Sequence, residues 1–283
     1  NAHPDSALWV GNTAHLRKSD LHSEQAYYKR YTQARSMIQP KTFLAEIPHL
    51  GIWSSNDYGS PGSGRTMSLK SDAQRSFSDF WPKSASIEHQ ANLCYSHKLS
   101  DVEFFFLDVQ SERDGYQRNT RYPGILGEAQ LEWLKDALIN SDATFKIIVS
   151  GAPILNPSKS AKNFSYAEKE KQDLLDFLKS YTISGLFFIS GGSYKGELTR
   201  LVQSSYYSFF DWTIGPSTAT PVTEDNELNF FRIPGTNTFE RQYGILSIKG
   251  EEGARRLEMQ VFSLAGIQLW SRTIEENELT AFE

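Results

Sequence analysis

Short apolar runs that end at a glycine or a polar residue alternate with amphipathic segments along most of the chain. Such runs predict buried strands, and apolar residues at helical spacing predict helices between them. The predicted strands are Ala7–Val10, Leu50–Trp53, Glu103–Asp108, Phe145–Val149 and Gly185–Ile189. The predicted helices are Ser23–Met37, Ala73–Trp81, Leu126–Leu138 and Ser165–Tyr181. This alternation predicts a layered α/β fold.

The pattern changes after Gly215, where short strands follow one another with turn residues between them and no strong helix signal. These strands are Tyr243–Lys249, Leu257–Ser263 and Gln268–Ile274. We expect them to form a meander that completes a second sheet of mixed type. No fixed-period repeat divides the chain, so a single domain over residues 1–283 is predicted.

Two local patterns refine this prediction. Residues 54–64 are so rich in turn formers that they predict a long irregular loop at a functional edge. Ser165 and Glu168 have the spacing of a capping box, in which a hydroxyl and a carboxylate satisfy free amides at the start of a helix.

Composition and charge exclude several classes of protein. Apolar residues make up 39% of the 283 residues, and no apolar run approaches the roughly 18 residues of a membrane span. A net charge of −5 argues against a general nucleic-acid binder, which needs a basic face. Cys94 is the one cysteine, so an internal disulfide is excluded, and we expect it to fill space in the core.

The segment Leu186–Leu198 carries the most information about function. It runs from an apolar strand into Ser-Gly-Gly-Ser-Tyr and then Glu-Leu. It resembles a metallophosphatase ligand motif, Ser-Gly-Asp-x-His followed by Glu-Leu, with Gly192 at the aspartate position and Tyr194 at the histidine position. The surrounding frame is intact: Ser190, Gly191, Glu197 and Leu198.

Four further segments, in the right order, resemble motifs of the same kind. Gly11–His15 corresponds to a Gly-Asp-Asn-x-Tyr turn, and Trp53–Gly59 to Trp-Asp-Asp-His-Asp-x-Gly. Leu107–Gln110, with Arg113 close by, corresponds to a Leu-Asp-x-Arg strand end. A Leu-Gly-x-x-Gln-x-x-Trp-Leu helix motif is matched without change by Leu126, Gly127, Gln130, Trp133 and Leu134. Together these segments resemble the alkaline phosphatase D (PhoD-like) family.

The resemblance implies a two-sheet α/β sandwich flanked by helices, with metal ions, commonly iron with calcium, bound where strands end. It also implies export from the cytoplasm and hydrolysis of phosphate mono- and diesters. The family's opening strand, which brings its first ligand aspartate, is not matched in this sequence. The positions that depart from ligand-type Asp or His are Asn12, Ser54, Ser55, Asn56, Gly192 and Tyr194.

The charged residues that remain define a candidate residual site. Asp57, Asp108 and Glu197 occupy positions that look structural in the family frame. Lys195 could replace part of the metal charge and hold a phosphate or carboxylate, joined by the cationic or imidazole side chains of Arg17, His15 and Arg113. The interpretation that we favour is plainer: Lys195 is a solvated loop charge and His15 a surface residue.

Other candidate residues give weaker signals. Ser54 and Ser55 lack a Gly-x-Ser-x-Gly elbow, so a turn role is favoured over a nucleophile. The remaining histidines show no metal-ligand spacing and are expected at the surface or in local hydrogen bonds: His3, His22, His49, His89 and His97. Several aromatic residues predict either a recognition surface or core packing: Tyr206, Tyr207, Phe209, Phe210, Trp212, Phe230 and Phe231.

Three hypotheses follow. The first is a catalytically inactive PhoD-like protein, without metal, that binds another protein within an exported, periplasmic or cell-surface assembly. The second is an active phosphatase or phosphodiesterase that uses iron and calcium at a site rebuilt from Asp57, Asp108 and Asn12. The third is a metal-free protein that binds phosphate or another anion through Lys195 and Arg17.

Overall fold

The computed structural model describes residues 4–38, 42–60, 62–81, 92–115, 120–160, 162–224 and 227–281. The strands are β1 (Ala7–Val10), β2 (His49–Ile52), β3 (Tyr95–Leu99), β4 (Val102–Leu107), β5 (Phe145–Ser150), β6 (Leu186–Ser190), β7 (Glu197–Leu201), β8 (Phe209–Thr213), β9 (Gln242–Lys249), β10 (Arg256–Ser263) and β11 (Gln268–Glu275). The helices are α1 (Glu24–Ser36), α2 (Phe43–Glu46), α3 (Ser55–Tyr58), α4 (Lys70–Phe80), α5 (Glu128–Asn140) and α6 (Glu168–Ser180). The predicted α/β class is confirmed.

A six-stranded mixed sheet lies at the centre of the molecule, in the order β3-β4-β5-β6-β8-β7. Strands β4, β5, β6 and β8 are parallel, and β3 and β7 run antiparallel at the two edges. Every residue of β5 and β6 is buried. Burial on both faces explains why the sequence of these strands is a continuous apolar run instead of an alternating one.

The other strands of the described residues form two smaller sheets. Strands β1 and β2 pair in parallel, and β9, β10 and β11 form an antiparallel meander. Leu257, Met259 and Val261 of β10 alternate inward and are buried. The indole of Trp270 in β11 packs edge-on against Trp212 of β8, with ring centroids 5.9 Å apart. The predicted meander is therefore present, and it covers the six-stranded sheet as a sheet of its own.

Helix α1 is stabilised by a capping residue at its start and by a stripe of aromatic side chains that packs against the core. The Ser23 hydroxyl accepts a hydrogen bond from the backbone N–H of Ala26 at 3.3 Å, which satisfies a free amide at the helix start. Tyr27 and Tyr31 lie one turn apart and are buried. The ring of Tyr31 meets Phe77 of α4 edge-on at 6.1 Å, so the two helices share one aromatic core.

Two local predictions are wrong. Residues 54–64 contain helix α3, because the backbone N–H of Ser54 donates to Asp57 Oδ2 at 3.0 Å and the chain closes into a helical turn. Ser165 is not a helix cap: its hydroxyl donates to the carbonyl of Asn156 at 2.5 Å. Residues 164–167 form a 3₁₀ turn instead, and α6 begins at Glu168.

Cys94 is buried in the core, as the sequence predicts. His49 is locally hydrogen bonded, as expected: Trp9 Nε1 donates to its Nδ1 at 2.8 Å. His3 and His89 lie outside the described residues. No helix in the described ranges is both long and apolar enough to cross a membrane.

Candidate functional site

The carboxyl ends of four strands meet at one edge of the molecule. The backbone N–H of Gly11, just after β1, donates to the carbonyl of Ile52 in β2 at 2.8 Å. The N–H of Gly191, just after β6, donates to the carbonyl of Ser150 in β5 at 2.9 Å. Open α/β sheets bind ligands at such edges. The structure therefore brings three of the predicted ligand-bearing loops together.

These loops are in direct backbone contact. The Ser54 hydroxyl donates to the carbonyl of Gly151 at 2.6 Å. A Cβ at Gly192 would lie 2.2 Å from that same carbonyl oxygen and 2.7 Å from Ser54 Oγ. A Cβ at Gly191 would lie 1.8 Å from the carbonyl oxygen of Val10. Real Cβ atoms do not approach other heavy atoms so closely, so both positions require glycine.

Gly192 is also restricted by its backbone. Its φ angle is +67°, in the left-handed region where a side chain is strained. Gly11, with φ of +76°, would place a Cβ 2.6 Å from the Cβ of Ser54. We call Gly11, Ser54, Gly151, Gly191 and Gly192 the closed edge. The backbone of one loop occupies the volume into which a ligand side chain at Gly192 would project.

The remaining predicted ligand positions form a polar cluster beside the closed edge. Asn12, with φ of 50°, accepts the backbone N–H of Asn56 on its side-chain oxygen at 3.0 Å. The Asn56 amide nitrogen lies 3.3 Å from His15 Nδ1 and donates to the Tyr194 hydroxyl at 3.4 Å. His15 is exposed, as favoured from the sequence, and Ser55 is the first residue of α3. These contacts cap and tether a helical turn.

Asp57 is buried and hydrogen bonded through both carboxylate oxygens. Oδ1 accepts from the Ala14 N–H at 2.6 Å and from the Thr13 hydroxyl at 3.0 Å, and Oδ2 accepts from the Ser54 N–H at 3.0 Å. Burial raises the pKa of Asp57 to about 6, and the hydrogen bonds from Ala14, Ser54 and Thr13 oppose that rise. The carboxylate holds the loops after β1 and β2 together.

Asp108 is buried at the end of β4 and is more fully bonded still. Oδ1 accepts from Trp53 Nε1 at 2.6 Å and from the N–H groups of Gln110 and Ser111 at 3.0 Å. Oδ2 accepts from the Leu93 N–H at 2.9 Å and the Ser111 hydroxyl at 2.5 Å. A carboxylate with two oxygens offers about four lone-pair positions, so these donors saturate it.

Arg113 is buried, although the sequence suggested a cation facing the site. Its Nη1 donates to the Val109 carbonyl at 3.4 Å, and its guanidinium lies 5.3 Å from the ring centroid of Tyr166. Burial raises the pKa of Glu170, and the charge of Arg113 partly opposes that rise. The Glu170 carboxylate in turn accepts the N–H groups at Ile125, Leu126 and Gly127 before α5. Arg113 therefore has a packing role against Val109 and Tyr166.

The interpretation of Lys195 as a solvated loop charge is wrong. Its side chain is only 6% exposed, and its Nζ lies 3.3 Å from Glu197 Oε2 and 3.7 Å from Glu227 Oε2. Glu197 also accepts from Arg232 Nε at 2.7 Å, so two cations and two carboxylates form one network around the buried side chains of Lys195 and Glu197. This network was not predicted because Glu227 and Arg232 lie 32 and 37 residues from Lys195 along the chain.

Arg17 has surroundings that differ from those of Lys195. It is exposed and lines a concave region of about 330 Å³ on α1 with Asp20, Lys29, Arg30 and Gln33. The Arg30 guanidinium binds Asp20 there, with Nε donating to Oδ2 at 2.9 Å. The contacts described for Arg17 and for Lys195 thus involve different residues.

The donors at this edge do not fit an iron or calcium ion. Such ions need several carboxylate or imidazole ligands that converge on one point. Within the described ranges, no three His, Cys, Asp or Glu side chains are placed to hold a metal ion. Amide and hydroxyl groups surround the closed edge, while Asp57 accepts three hydrogen bonds and Asp108 is saturated by backbone and side-chain donors.

The family model for PhoD-like phosphatases matches residues 3–232, which is most of the chain. The chain belongs to the PhoD-like phosphatase family. No curated protein matches it significantly in sequence. Among solved structures, it resembles PhoD with a TM-score of 0.68 at 15% identity, covering 96% of this chain and 66% of PhoD.

Two other solved structures share this fold. The purple acid phosphatase PPD1 of yellow lupin matches with a TM-score of 0.63 at 12% identity, covering 96% of this chain and 46% of that enzyme. GAP50, the anchor in the inner membrane complex of Plasmodium, matches with a TM-score of 0.50 at 14% identity. That match covers 98% of this chain and 89% of GAP50. This chain thus spans just under two thirds of PhoD and less than half of PPD1.

Family membership clarifies which motif residues remain in this PhoD-like chain. The Ser190 hydroxyl donates to buried Asp211 Oδ1 at 2.6 Å, and Gln130 Nε2 donates to the Asp108 carbonyl at 2.9 Å. Leu134 is buried in the core. The retained residues are therefore the ones that hold strands and loops in place. The substituted ones lie at the closed edge and in the polar cluster beside it.

Proposed function

We propose that this PhoD-like protein is catalytically inactive and works by binding another protein. The observation that carries the proposal is the contact of Gly192 with Gly151 and Ser54. A side chain at Gly192 has no room, since its Cβ would lie 2.2 Å from the Gly151 carbonyl oxygen. The site is therefore closed by backbone and cannot be restored by exchanging one ligand residue.

Two-metal hydrolysis needs ions roughly 3.5–4 Å apart that bind phosphate oxygens and supply hydroxide at neutral pH. The side chains at the corresponding positions are Asn12, Ser54, Asn56 and Tyr194, which carry no charge at neutral pH. They cannot offset the charge of two metal ions. An active enzyme would have to use Asp57 and Asp108, and each of these would first have to give up its hydrogen bonds to the fold.

A scaffolding role has a precedent in the same fold. GAP50 is an anchor in the inner membrane complex of Plasmodium. By analogy with that role, we propose that this chain is a component of an exported or cell-envelope assembly. The surface that binds the partner, and not the strand-end edge, is then the part of the molecule on which function depends.

Metal content tests the proposal most directly. The protein is incubated with iron, calcium, zinc and manganese, desalted and analysed by mass spectrometry of the metals. We expect less than about a tenth of an equivalent of any metal, far below what a structural or catalytic site holds. Hydrolysis of p-nitrophenyl phosphate and bis(p-nitrophenyl) phosphate is measured on the same samples, with Asp57→Ala as the matched variant.

One or two tightly held equivalents, together with turnover that chelators abolish, would overturn the proposal. If Asp57→Ala also removed that turnover while the protein stayed folded, the site would be one rebuilt around Asp57. Phosphate that raised the melting temperature of the metal-free wild type, but not of Lys195→Ala, would instead support an anion-binding protein.

A further inference from the structure

In the segment 227–231, apolar side chains face the solvent and polar side chains face the protein. Leu228 and Phe230 point outward and are 73% and 80% exposed. Glu227 and Asn229, between and beside them, turn inward to polar partners. A segment that packs on a domain normally turns its apolar side chains inward. We call Leu228 and Phe230 the outward pair.

The outward pair sits on a backbone that is held in place. Asn229 Nδ2 donates to Glu197 Oε1 at 3.0 Å and to Thr199 Oγ1 at 2.8 Å. Its side-chain oxygen accepts the Phe231 N–H at 3.1 Å, and the Phe231 carbonyl accepts the Arg200 N–H at 2.8 Å. Phe230 is therefore flanked by two anchored residues.

This arrangement has the physical features of a binding hot spot. An aromatic side chain presented on a fixed backbone loses little entropy when it is buried by a partner. The outward pair lines a concave region of about 530 Å³ together with Phe239 and the carboxylates of Glu224 and Glu227. Exposed apolar surface rimmed by charged groups commonly marks an interaction site.

The charges of this region favour a basic partner. Glu224 is exposed, whereas the side chain of Glu227 is 33% exposed and its Oε2 lies 3.7 Å from Lys195 Nζ. The cation that lines the region, Arg232, is held by buried Glu197 at 2.7 Å. Negative charge therefore predominates toward the solvent, and the whole chain carries a net charge of −5. An anionic membrane surface would be repelled by the same carboxylates.

We propose that this region binds a segment of a partner protein in which apolar side chains stand next to a lysine or arginine. The apolar side chains cover the outward pair, and the cation pairs with Glu224. The proposal rests on the proposed function, since it names the surface and the class of partner through which a binding protein would act.

A random peptide library displayed on phage provides the probe. Selection against the wild-type protein is followed by counter-selection against Leu228→Ser/Phe230→Ser, and the affinity of the enriched peptides is measured by fluorescence anisotropy. We expect enrichment of peptides with apolar residues and lysine or arginine, and an affinity loss of at least about tenfold in the double variant. The control is Leu264→Ser/Ile267→Ser, which removes an exposed apolar pair at the β10–β11 turn.

The charge assignment is tested separately with Glu224→Lys. This variant should weaken binding of the basic peptides and strengthen binding of their glutamate-substituted versions. Far-ultraviolet circular dichroism and the melting temperature of each variant verify that it is folded, which is expected because the substituted side chains are exposed.

The proposal is overturned by any of four results: no enriched peptide, enrichment of acidic peptides, equal loss in the Leu264→Ser/Ile267→Ser control, or no response to Glu224→Lys. A dimer in sedimentation experiments that dissociates in the Phe230→Ser variant would assign the surface to a second copy of the chain, and would also overturn the proposal. Phe230-dependent binding to anionic phosphatidylserine vesicles would overturn it as well. Metal-dependent turnover would contradict the proposed function alone, because the outward pair is outside the closed edge.

Discussion

The closed edge and the segment 227–231 both have an anchored backbone, but they differ in what that backbone presents. At the closed edge, backbone packs on backbone, and Gly192 leaves no room for a side chain. In the segment 227–231, the backbone is just as well anchored, yet Phe230 extends into solvent. The comparison shows that anchoring alone does not indicate what a surface does. What matters is whether the anchored backbone presents a side chain or excludes one.

Each of the two regions is also held by its own buried carboxylates. Asp57 and Asp108 accept hydrogen bonds from the loops around the closed edge, and Glu197 accepts them from the segment that carries the outward pair. In each place a buried carboxylate organises the donors around it. The donors to Asp57 and Asp108 are neutral, whereas Glu197 also accepts from the cation Arg232. The candidate residual site of Asp57, Asp108, Arg113 and Lys195 stays a prediction, and each of the four has a structural role in the described molecule.

The largest effect is expected from an attempt to reopen the closed edge. Gly192→Asp, which restores the family residue, should lower the free energy of unfolding by about 2–5 kcal/mol, because it adds a left-handed strain to a steric clash. Urea unfolding measures the change. Gly253→Asp is the matched control: its φ is +80°, and no atom lies within 4 Å of an added Cβ. Equal losses in the two variants would mean that the edge is not closed.

The role of Asp108 gives the second largest effect. Asp108→Asn should cost about 2–4 kcal/mol of stability, because a neutral amide cannot satisfy all the donors around it and introduces an N–H₂ group of its own. Asp142→Asn is a control, since that exposed carboxylate pairs with Lys98 at the surface. An unchanged unfolding curve for Asp108→Asn, with altered metal binding, would favour a ligand role instead.

A third prediction concerns pH. The folded-state pKa of Asp57 is raised from 3.8 to about 6, chiefly by burial. A raised pKa means that the folded protein binds this proton more tightly than the unfolded chain does. The contribution of Asp57 is therefore most favourable below pH 3.8 and is lost as pH rises through 6. The difference in unfolding free energy between the wild type and Asp57→Asn, measured from pH 3.5 to 7.5, should follow this curve.

A flat difference across that range would contradict the raised pKa of Asp57. Asp211 and Glu170 are shifted in the same direction by burial, so the wild-type curve alone does not isolate one group. The comparison with Asp57→Asn removes their shared contribution. Carbon-detected NMR of the side-chain carboxyl gives an independent measurement.

The sequence predicted those elements whose stability is local or whose burial is complete. β5, which is buried throughout, was predicted at Phe145–Val149 and spans Phe145–Ser150, and α1 has the Ser23 cap at its start. β1 lies at Ala7–Val10 as predicted, although its residues are half-buried and not buried as expected. β7 and β8 were not predicted, because the strand character of Glu197–Leu201 comes from pairing with Phe209–Thr213 and not from its own composition. Pairing between strands depends on tertiary context that a local pattern does not contain.

The sequence predicted where the candidate site lies, but it did not predict that the loops close on one another or that Lys195 is buried. The motifs placed Asn12, Ser54 and Gly192 at neighbouring strand ends, and the structure brings their loops together. The burial of Lys195 was missed because its partner Glu227 is remote in sequence. The aromatic set also divided in a way that composition cannot show: Tyr206, Tyr207, Phe209, Phe210 and Trp212 are core, while Phe230 and Phe231 are exposed.

The smallest effect on stability is expected at Phe230, and a substitution of its neighbour Asn229 should have a larger effect. Phe230→Ser should change the free energy of unfolding by less than about 0.5 kcal/mol, whereas Asn229→Ala should cost about 1–2 kcal/mol through its lost hydrogen bonds. Both variants should weaken binding of a selected peptide, the first by removing the contact and the second by releasing the backbone that presents it. Full peptide affinity in Asn229→Ala would mean that anchoring does not contribute, and the outward pair would then act through its exposed area alone.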